Sequence, residues 1–178
     1  MKAEADKMKN ISSELLDLAQ VESGSIHLNI LNVGADQIIE YVREAMEHNR
    51  GDHPQVSYEV EGNLPMMLCD PEKTAWVLIN LINNALKYSL ESSMVCVSVV
   101  REHEMIRFAV QDFGQGIEEQ YLNKIFEKYF RIPGSTQEGS GLGLAISKEF
   151  IVKQNGCIWA ESELGFGSKF NFTLPIAE

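Results

Sequence analysis

The stretch W-V-L-I-N-L-I-N-N-A-L-K-Y-S, residues 76–89, decides how the rest of the chain is read. Wound as a helix at about 100° per residue, it splits into two faces. Ala75, Leu78, Leu81, Ile82 and Ala85 fall on one side and predict a core face. Lys73, Trp76, Asn80, Asn83, Asn84 and Lys87 fall on the other, with Tyr88 at its edge. Asparagine is a mediocre helix former because its amide competes for backbone hydrogen bonds. One such residue is a solvated surface position. A cluster with Asn80 and Asn84 at i,i+4 beside Lys87 predicts a ligand site. Asp70-Pro71 just upstream supplies the start, Asp as N-cap and Pro at the first helical position.

Outward from this helix, the composition narrows the function classes. With 178 residues, the chain has length for one α/β domain plus an appendage. Its 44% hydrophobic and 23% charged content is that of an ordinary globular protein. A net charge of −11 argues against nucleic acid or an anionic membrane as the partner. Bound phosphate therefore needs local cations or a metal. Cys69, Cys96 and Cys157 sit singly in apolar runs with no C-x-x-C, which predicts small core residues in a reducing compartment. No apolar run reaches the ~20 residues of a membrane span, and the charged start is not a signal peptide.

In chain order, residues 3–22 predict a helix with Met8, Ile11, Leu15 and Leu18 at 3-4-3 spacing, a narrow seam of coiled-coil type. A helix this short is marginal alone and calls for a partner helix or a second copy. Ser23-Gly24-Ser25 ends it, dividing the chain into an arm and linker, residues 1–24, and a domain, residues 25–178. Alternation predicts a strand over residues 26–33, and an apolar stripe predicts a helix over 35–48. Arg50-Gly51-Asp52-His53-Pro54 is a turn cluster. Strands follow over 56–60 and 66–69, then 94–101 and 105–111 as a hairpin about Glu102-His103-Glu104. A helix is expected over 118–128, a mobile loop over 131–141, and a helix over 142–154 stopped by Asn155-Gly156. A last hairpin turns at Leu164-Gly165-Phe166-Gly167. The architecture expected is an N-terminal helix followed by an α/β two-layer sandwich, one mixed sheet with about three helices on one face.

Beyond the asparagine helix, three pieces bear chemistry. Asp112-Phe113-Gly114-Gln115-Gly116-Ile117 ends a strand, where a carboxylate beside glycines suits an amino-bearing flat base. Phe126-Glu127-Lys128-Tyr129-Phe130-Arg131 brackets cations with aromatics. Gly139-Ser140-Gly141-Leu142-Gly143-Leu144 leads into a helix and offers N–H groups and a positive dipole end to an anion. Asp112-Phe113-Gly114 matches the metal-binding tripeptide of eukaryotic-type protein kinases, yet that family's Val-Ala-Ile-Lys, His-Arg-Asp and Ala-Pro-Glu are missing. The glycine run is not the dinucleotide G-x-G-x-x-G either, since its glycines alternate and it follows a loop.

Taken in order, these pieces resemble the catalytic, ATP-binding part of bacterial sensor histidine kinases of the GHKL superfamily, with a Bergerat-type fold. Residues 80–89 look like the N box, 112–116 like G1, 126–131 like the F box, 139–143 like G2, and 165–168 like the terminal glycine motif. Leu16-Asp17-Leu18-Ala19-Gln20-Val21-Glu22-Ser23-Gly24 is similar to the end of the second dimerisation helix. The resemblance implies that Asn80 coordinates Mg²⁺, that Asn84 supports metal and phosphates, and that Lys87 contacts phosphate. It implies Tyr88 beside the adenine, Asp112 accepting from the adenine amino group, and Gly114, Gly116 and Ile117 shaping the pocket. Lys128 and Arg131 become phosphate cations, Arg131 the better match. Gly139, Ser140, Gly141, Leu142 and Gly143 cradle phosphates under a lid over 131–140. Positioning and charge neutralisation supply most of the catalysis in phosphoryl transfer.

Asn80 also sorts the superfamily. ATP-hydrolysing relatives carry glutamate there to activate water, which an amide cannot do. The resemblance therefore implies transfer to another acceptor, a histidine that relays to a response-regulator aspartate. None of the four histidines fits an acceptor motif. His103-Glu104-Met105-Ile106-Arg107 comes nearest, but its Arg is one position late, no Pro follows, and it falls in a hairpin. A fragment is expected, with the acceptor upstream of Met1, a homodimer in the full-length protein, and a cytoplasmic soluble domain of a sensor. Alone, it should bind Mg-ATP without autophosphorylating. A nucleotide-responsive interaction module and an anti-sigma-type serine kinase are the alternatives.

Overall fold

Asp70 begins the central helix as expected: its carboxylate accepts from the Lys73 backbone N–H at 3.0 Å, and Pro71 follows in the first turn. The computed structural model describes residues 26–47, 56–89, 94–135 and 139–177, with Leu16, Ala19 and Ser23. The helix expected over 3–22 lies outside the described residues except at Leu16 and Ala19, which are helical. There the Ser23 N–H donates to the Ala19 carbonyl at 3.0 Å. The turn cluster 50–54 lies outside them too.

The described strands are β1 (Leu31–Val33), β2 (Val56–Val60), β3 (Met67–Cys69), β4 (Val95–Glu102), β5 (Met105–Gln111), β6 (Ile158–Glu163) and β7 (Gly167–Pro175). The α-helices are α1 (Ala35–Glu47), α2 (Pro71–Tyr88) and α3 (Gly143–Lys153). Five strands form a sheet in the order β2-β4-β5-β7-β6, parallel between β2 and β4 and antiparallel elsewhere. β1 and β3 pair as a separate antiparallel ribbon. The mixed sheet with helices layered on it is the expected fold class.

Period-two alternation builds the buried face. Val97, Val110 and Phe170 lie in one cross-strand row, and Val99, Phe108 and Phe172 in the next. All are buried, and the Phe108 and Phe172 rings stack with centroids 4.8 Å apart. Val77, Leu78, Leu81 and Ile82 of α2 are fully buried in the same core.

A buried polar staple fastens α2 to α3. Gln154 is 2% exposed. Its Oε1 accepts from the Asp70 N–H at 2.6 Å and the Thr74 hydroxyl at 3.3 Å, and its Nε2 donates to the Phe150 carbonyl at 3.0 Å. α3 then ends as expected. Asn155 adopts φ +60°, its N–H reaches the Val152 carbonyl, and the Gly156 N–H reaches the Ile151 carbonyl, both at 3.0 Å. That is the paired bonding of a Schellman stop, with asparagine in the left-handed position.

Three expectations need correcting. The strand expected over 26–33 shortens to Leu31–Val33, because its partner has only three residues before α2 begins. The Asn29 N–H therefore goes to the Asp70 carboxylate at 2.8 Å instead of to a strand. The helix expected over 118–128 is two 3₁₀ turns, Glu119–Tyr121 and Lys124–Phe126. The change of direction between them lets Tyr121 meet Phe130 while Phe126 packs edge-on to Phe170. Of the cysteines, only Cys69 is buried, which raises its thiol pKa; Cys157 is exposed.

Candidate functional site

The last turns of α2, the segment after β5, residues 130–135 and 139–141, and the start of α3 converge on a cavity of about 620 Å³. That lies in the range of small-molecule sites. Asn80, Asn84, Lys87 and Tyr88 line it from α2, and Asp112, Gly116 and Ile117 from the segment after β5. Arg131, Gly139, Ser140, Gly141 and Gly143 line it from the lid and glycine run.

Three residues expected in the site stand elsewhere. Leu142 is 2% exposed and joins the core under α3. Lys128 is exposed on the turn after the second 3₁₀ turn and is not in the cavity wall, whereas Arg131 is. Gly114 backs the site from behind: a side chain there would meet the Tyr88 carbonyl. On the polar face of α2, Trp76 and Lys73 also turn out to serve packing. Trp76 meets the Phe150 ring edge-on at 5.4 Å, and the Lys73 ammonium lies 4.6 Å above it. Asn83 is exposed and outside the cavity.

At one end of the cavity sits Asp112, 3% exposed. Its Oδ1 accepts from the Gly114 N–H at 2.9 Å and the Ser168 N–H at 3.3 Å. Burial raises its carboxyl pKa, and those two backbone donors oppose the rise. Ile117, Leu164, Phe170 and Phe130 supply apolar wall for a flat ring. Leu164, Ser168 and Phe170 escaped the sequence reading of the site. The terminal glycine motif was their signal, and only the β5–β7 pairing brings it against Asp112.

At the start of α3 the wall changes character. α3 begins with no side-chain cap on its first N–H groups, and its first residues, Gly143 and Leu144, line the cavity. Lys87 reaches toward Gly139, its ammonium 3.3 Å from where a Cβ would stand there. The Tyr129 N–H donates to the Gly141 carbonyl at 2.9 Å, with φ +63° and +73° at the two residues.

The donor set bears on which metal could bind. Among the described residues, no cluster of three His, Cys, Asp or Glu side chains could hold one. Asn80 donates through Nδ2 to the Ser147 hydroxyl at 2.9 Å, and its Oδ1 accepts no hydrogen bond among the described residues. The Asn84 amide makes none there either. Neutral amide oxygens beside the glycine run that opens α3 fit Mg²⁺, which binds through few protein ligands plus phosphate oxygens.

A mixed sheet under helices, with asparagines on α2, a buried aspartate after β5 and a glycine run opening α3, defines an ATP-binding site of the GHKL type. The chain belongs to the family of histidine kinase-, DNA gyrase B- and HSP90-like ATPases, whose model matches residues 69–178. It is 31% identical over 173 residues to the adaptive-response sensory kinase SasA of Synechococcus elongatus, covering 96% of this chain and 45% of that protein. It is 31% identical over 180 residues to the sensor histidine kinase WalK of Bacillus subtilis, covering 98% of this chain and 30% of that one. Full-length ShkA, solved in complex with AMPPNP, matches with a TM-score of 0.84 at 26% identity, over 98% of this chain and 37% of that chain. The chain thus spans less than half the length of these relatives. Among the described residues, no helix is long and apolar enough to cross a membrane.

Proposed function

We propose that this chain is the catalytic part of a sensor histidine kinase, moving the γ-phosphoryl group of Mg-ATP to a histidine on a dimerisation domain. The phosphorus–oxygen bond to ADP breaks as a phosphorus–nitrogen bond to the imidazole forms, and a response-regulator aspartate then receives the group. Residues 1–24 are the end of a dimerisation helix with its linker, 25–178 are the ATP-binding domain, and the full-length protein is a homodimer facing the cytoplasm.

One observation carries this reading: α2 presents amides, not a carboxylate, to the cavity. Among the described residues, the carboxylates in its wall are Asp112 and Glu118, both from the segment after β5. Water activation needs a base near the phosphates, whereas transfer needs positioning and charge neutralisation with the base brought by the acceptor. Asn80 and Asn84 hold Mg²⁺, which when bound offsets phosphate charge. Lys87, Arg131 and the α3 N-terminus hold the phosphates, and Asp112 takes the adenine amino group. His103 is no acceptor, since it sits exposed at a hairpin tip with φ +56°. His27 is exposed on the irregular segment before β1, and His48 and His53 lie outside the described residues.

Mixing the chain with Mg-ATP and a matching upstream helical domain tests the reading. Acid-labile phosphohistidine on that domain is expected. Binding without transfer indicates a nucleotide-responsive module, and an acid-stable product indicates a serine kinase.

Asp112→Asn tests the base end. The amide keeps an oxygen for the Gly114 N–H and turns an NH₂ toward the adenine amino group, so two donors face each other. ATP affinity should fall by about 1–3 kcal/mol, read by calorimetry. Stability should move the other way. A carboxyl whose folded pKa is raised favours the fold below the ordinary value of about 3.9 and loses that contribution as pH rises through the folded value. Asp112→Asn should flatten this acid-side slope and melt no lower than wild type at neutral pH.

A further inference from the structure

We infer that Ser147 is a positioning residue that fixes which end of the Asn80 amide faces the metal. The inference rests on Asn80 as a Mg²⁺ ligand. Ser147 is fully buried on α3, one turn after Gly143. Its hydroxyl donates to the Gly143 carbonyl at 2.8 Å. A hydroxyl has one proton, so toward Asn80 at 2.9 Å it acts only as acceptor, and the group facing it must be Nδ2–H. Reversing the amide would set its carbonyl oxygen against the Ser147 oxygen with no proton between them. Oδ1 is thereby left for a cation.

Gly143 completes the arrangement. A Cβ there would stand 2.6 Å from Asn80 Oδ1 and 3.1 Å from Nδ2, so the amide occupies the space a side chain would fill. The chain Asn80–Ser147–Gly143 thus ties the metal-binding amide of α2 to the backbone that opens α3. Outer partners of metal ligands typically change metal affinity about 10–100-fold when removed. Ser147 is buried and is not in the cavity wall, so its effect should appear in the metal dependence alone.

The test measures ATP affinity of the whole chain against free Mg²⁺, and again with the metal chelated. Ser147→Ala should raise the Mg²⁺ concentration for half-maximal effect about tenfold and leave metal-free ATP affinity within about twofold. Ser147→Thr and Ser147→Val separate the hydroxyl from packing, because they share a shape and differ in that group. Thr should keep the wild-type Mg²⁺ midpoint and Val should shift it as Ala does. Equal midpoints in Thr and Val, or a wild-type midpoint in Ala, would overturn the positioning role while leaving Asn80 as ligand. An Asn80→Ala chain that retains full Mg²⁺ dependence would overturn the metal reading and this inference with it.

Discussion

Asn80→Ala should bind ATP no more tightly with Mg²⁺ than with the metal chelated. The wild-type chain, titrated in parallel, should show a Mg²⁺-dependent gain, and the loss in the variant should be at least the ~100-fold that removing even an outer partner of a metal ligand reaches. The physical reason is that replacements are scarce. Among the described residues, Asn84 is the other amide that α2 brings to the wall, and Lys87 and Arg131 there are cations that repel a metal. With a net charge of −11, the chain as a whole opposes ATP, which makes local neutralisation matter more. The fold should change little. Asn80 is half-exposed, and the several tenths of a kcal/mol by which alanine is the better helix former offset part of the roughly 1 kcal/mol of the lost bond to Ser147. A melting temperature close to wild type, together with lost metal dependence, separates a site defect from unfolding. A full Mg²⁺ response in the variant would remove Asn80 from the metal.

How much of this is legible in the sequence follows from the range of the forces involved. The face of α2 that enters the core was plain, because 3.6-residue periodicity is local and Ala75, Leu78, Leu81, Ile82 and Ala85 obey it. Its other face was harder. Asn80, Asn84 and Lys87 share a side with Trp76 and Lys73, and only the position of Phe150 on α3 decides that the latter two pack. The 118–128 segment reads as helix from its composition, yet contacts far along the chain, Phe126 with Phe170 among them, fold it as 3₁₀ turns. Ser147 was invisible for the same reason. A serine inside an apolar helix carries no periodic signal, and its meaning depends on a partner 67 residues away. Gly143, by contrast, was noticed for its motif. Its physical reason in the structure is room for Asn80.

Gly167→Ala should be the most destabilising of these substitutions, although Gly167 is not in the cavity wall. Its φ is +107°, a conformation that strains any side chain by about 1–3 kcal/mol. A Cβ there would also stand 2.1 Å from the Asp112 carbonyl oxygen and 2.7 Å from the Phe113 Cα, both backbone atoms that no rotamer change can clear. Forced overpacking adds about 1–3 kcal/mol. Together, about 2–6 kcal/mol is a large share of the roughly 5–15 kcal/mol that holds a domain folded. The contact also reaches the site. The Asp112 N–H donates to the Ser168 carbonyl at 2.9 Å, and the Ser168 N–H returns to the Asp112 carboxylate, so pushing β7 away from Asp112 loosens the group proposed to read the base. Denaturant melts should therefore show a lowered midpoint, and the fraction still folded should bind ATP more weakly. A variant with wild-type stability would mean that β7 and the segment after β5 are not pressed together as their geometry requires.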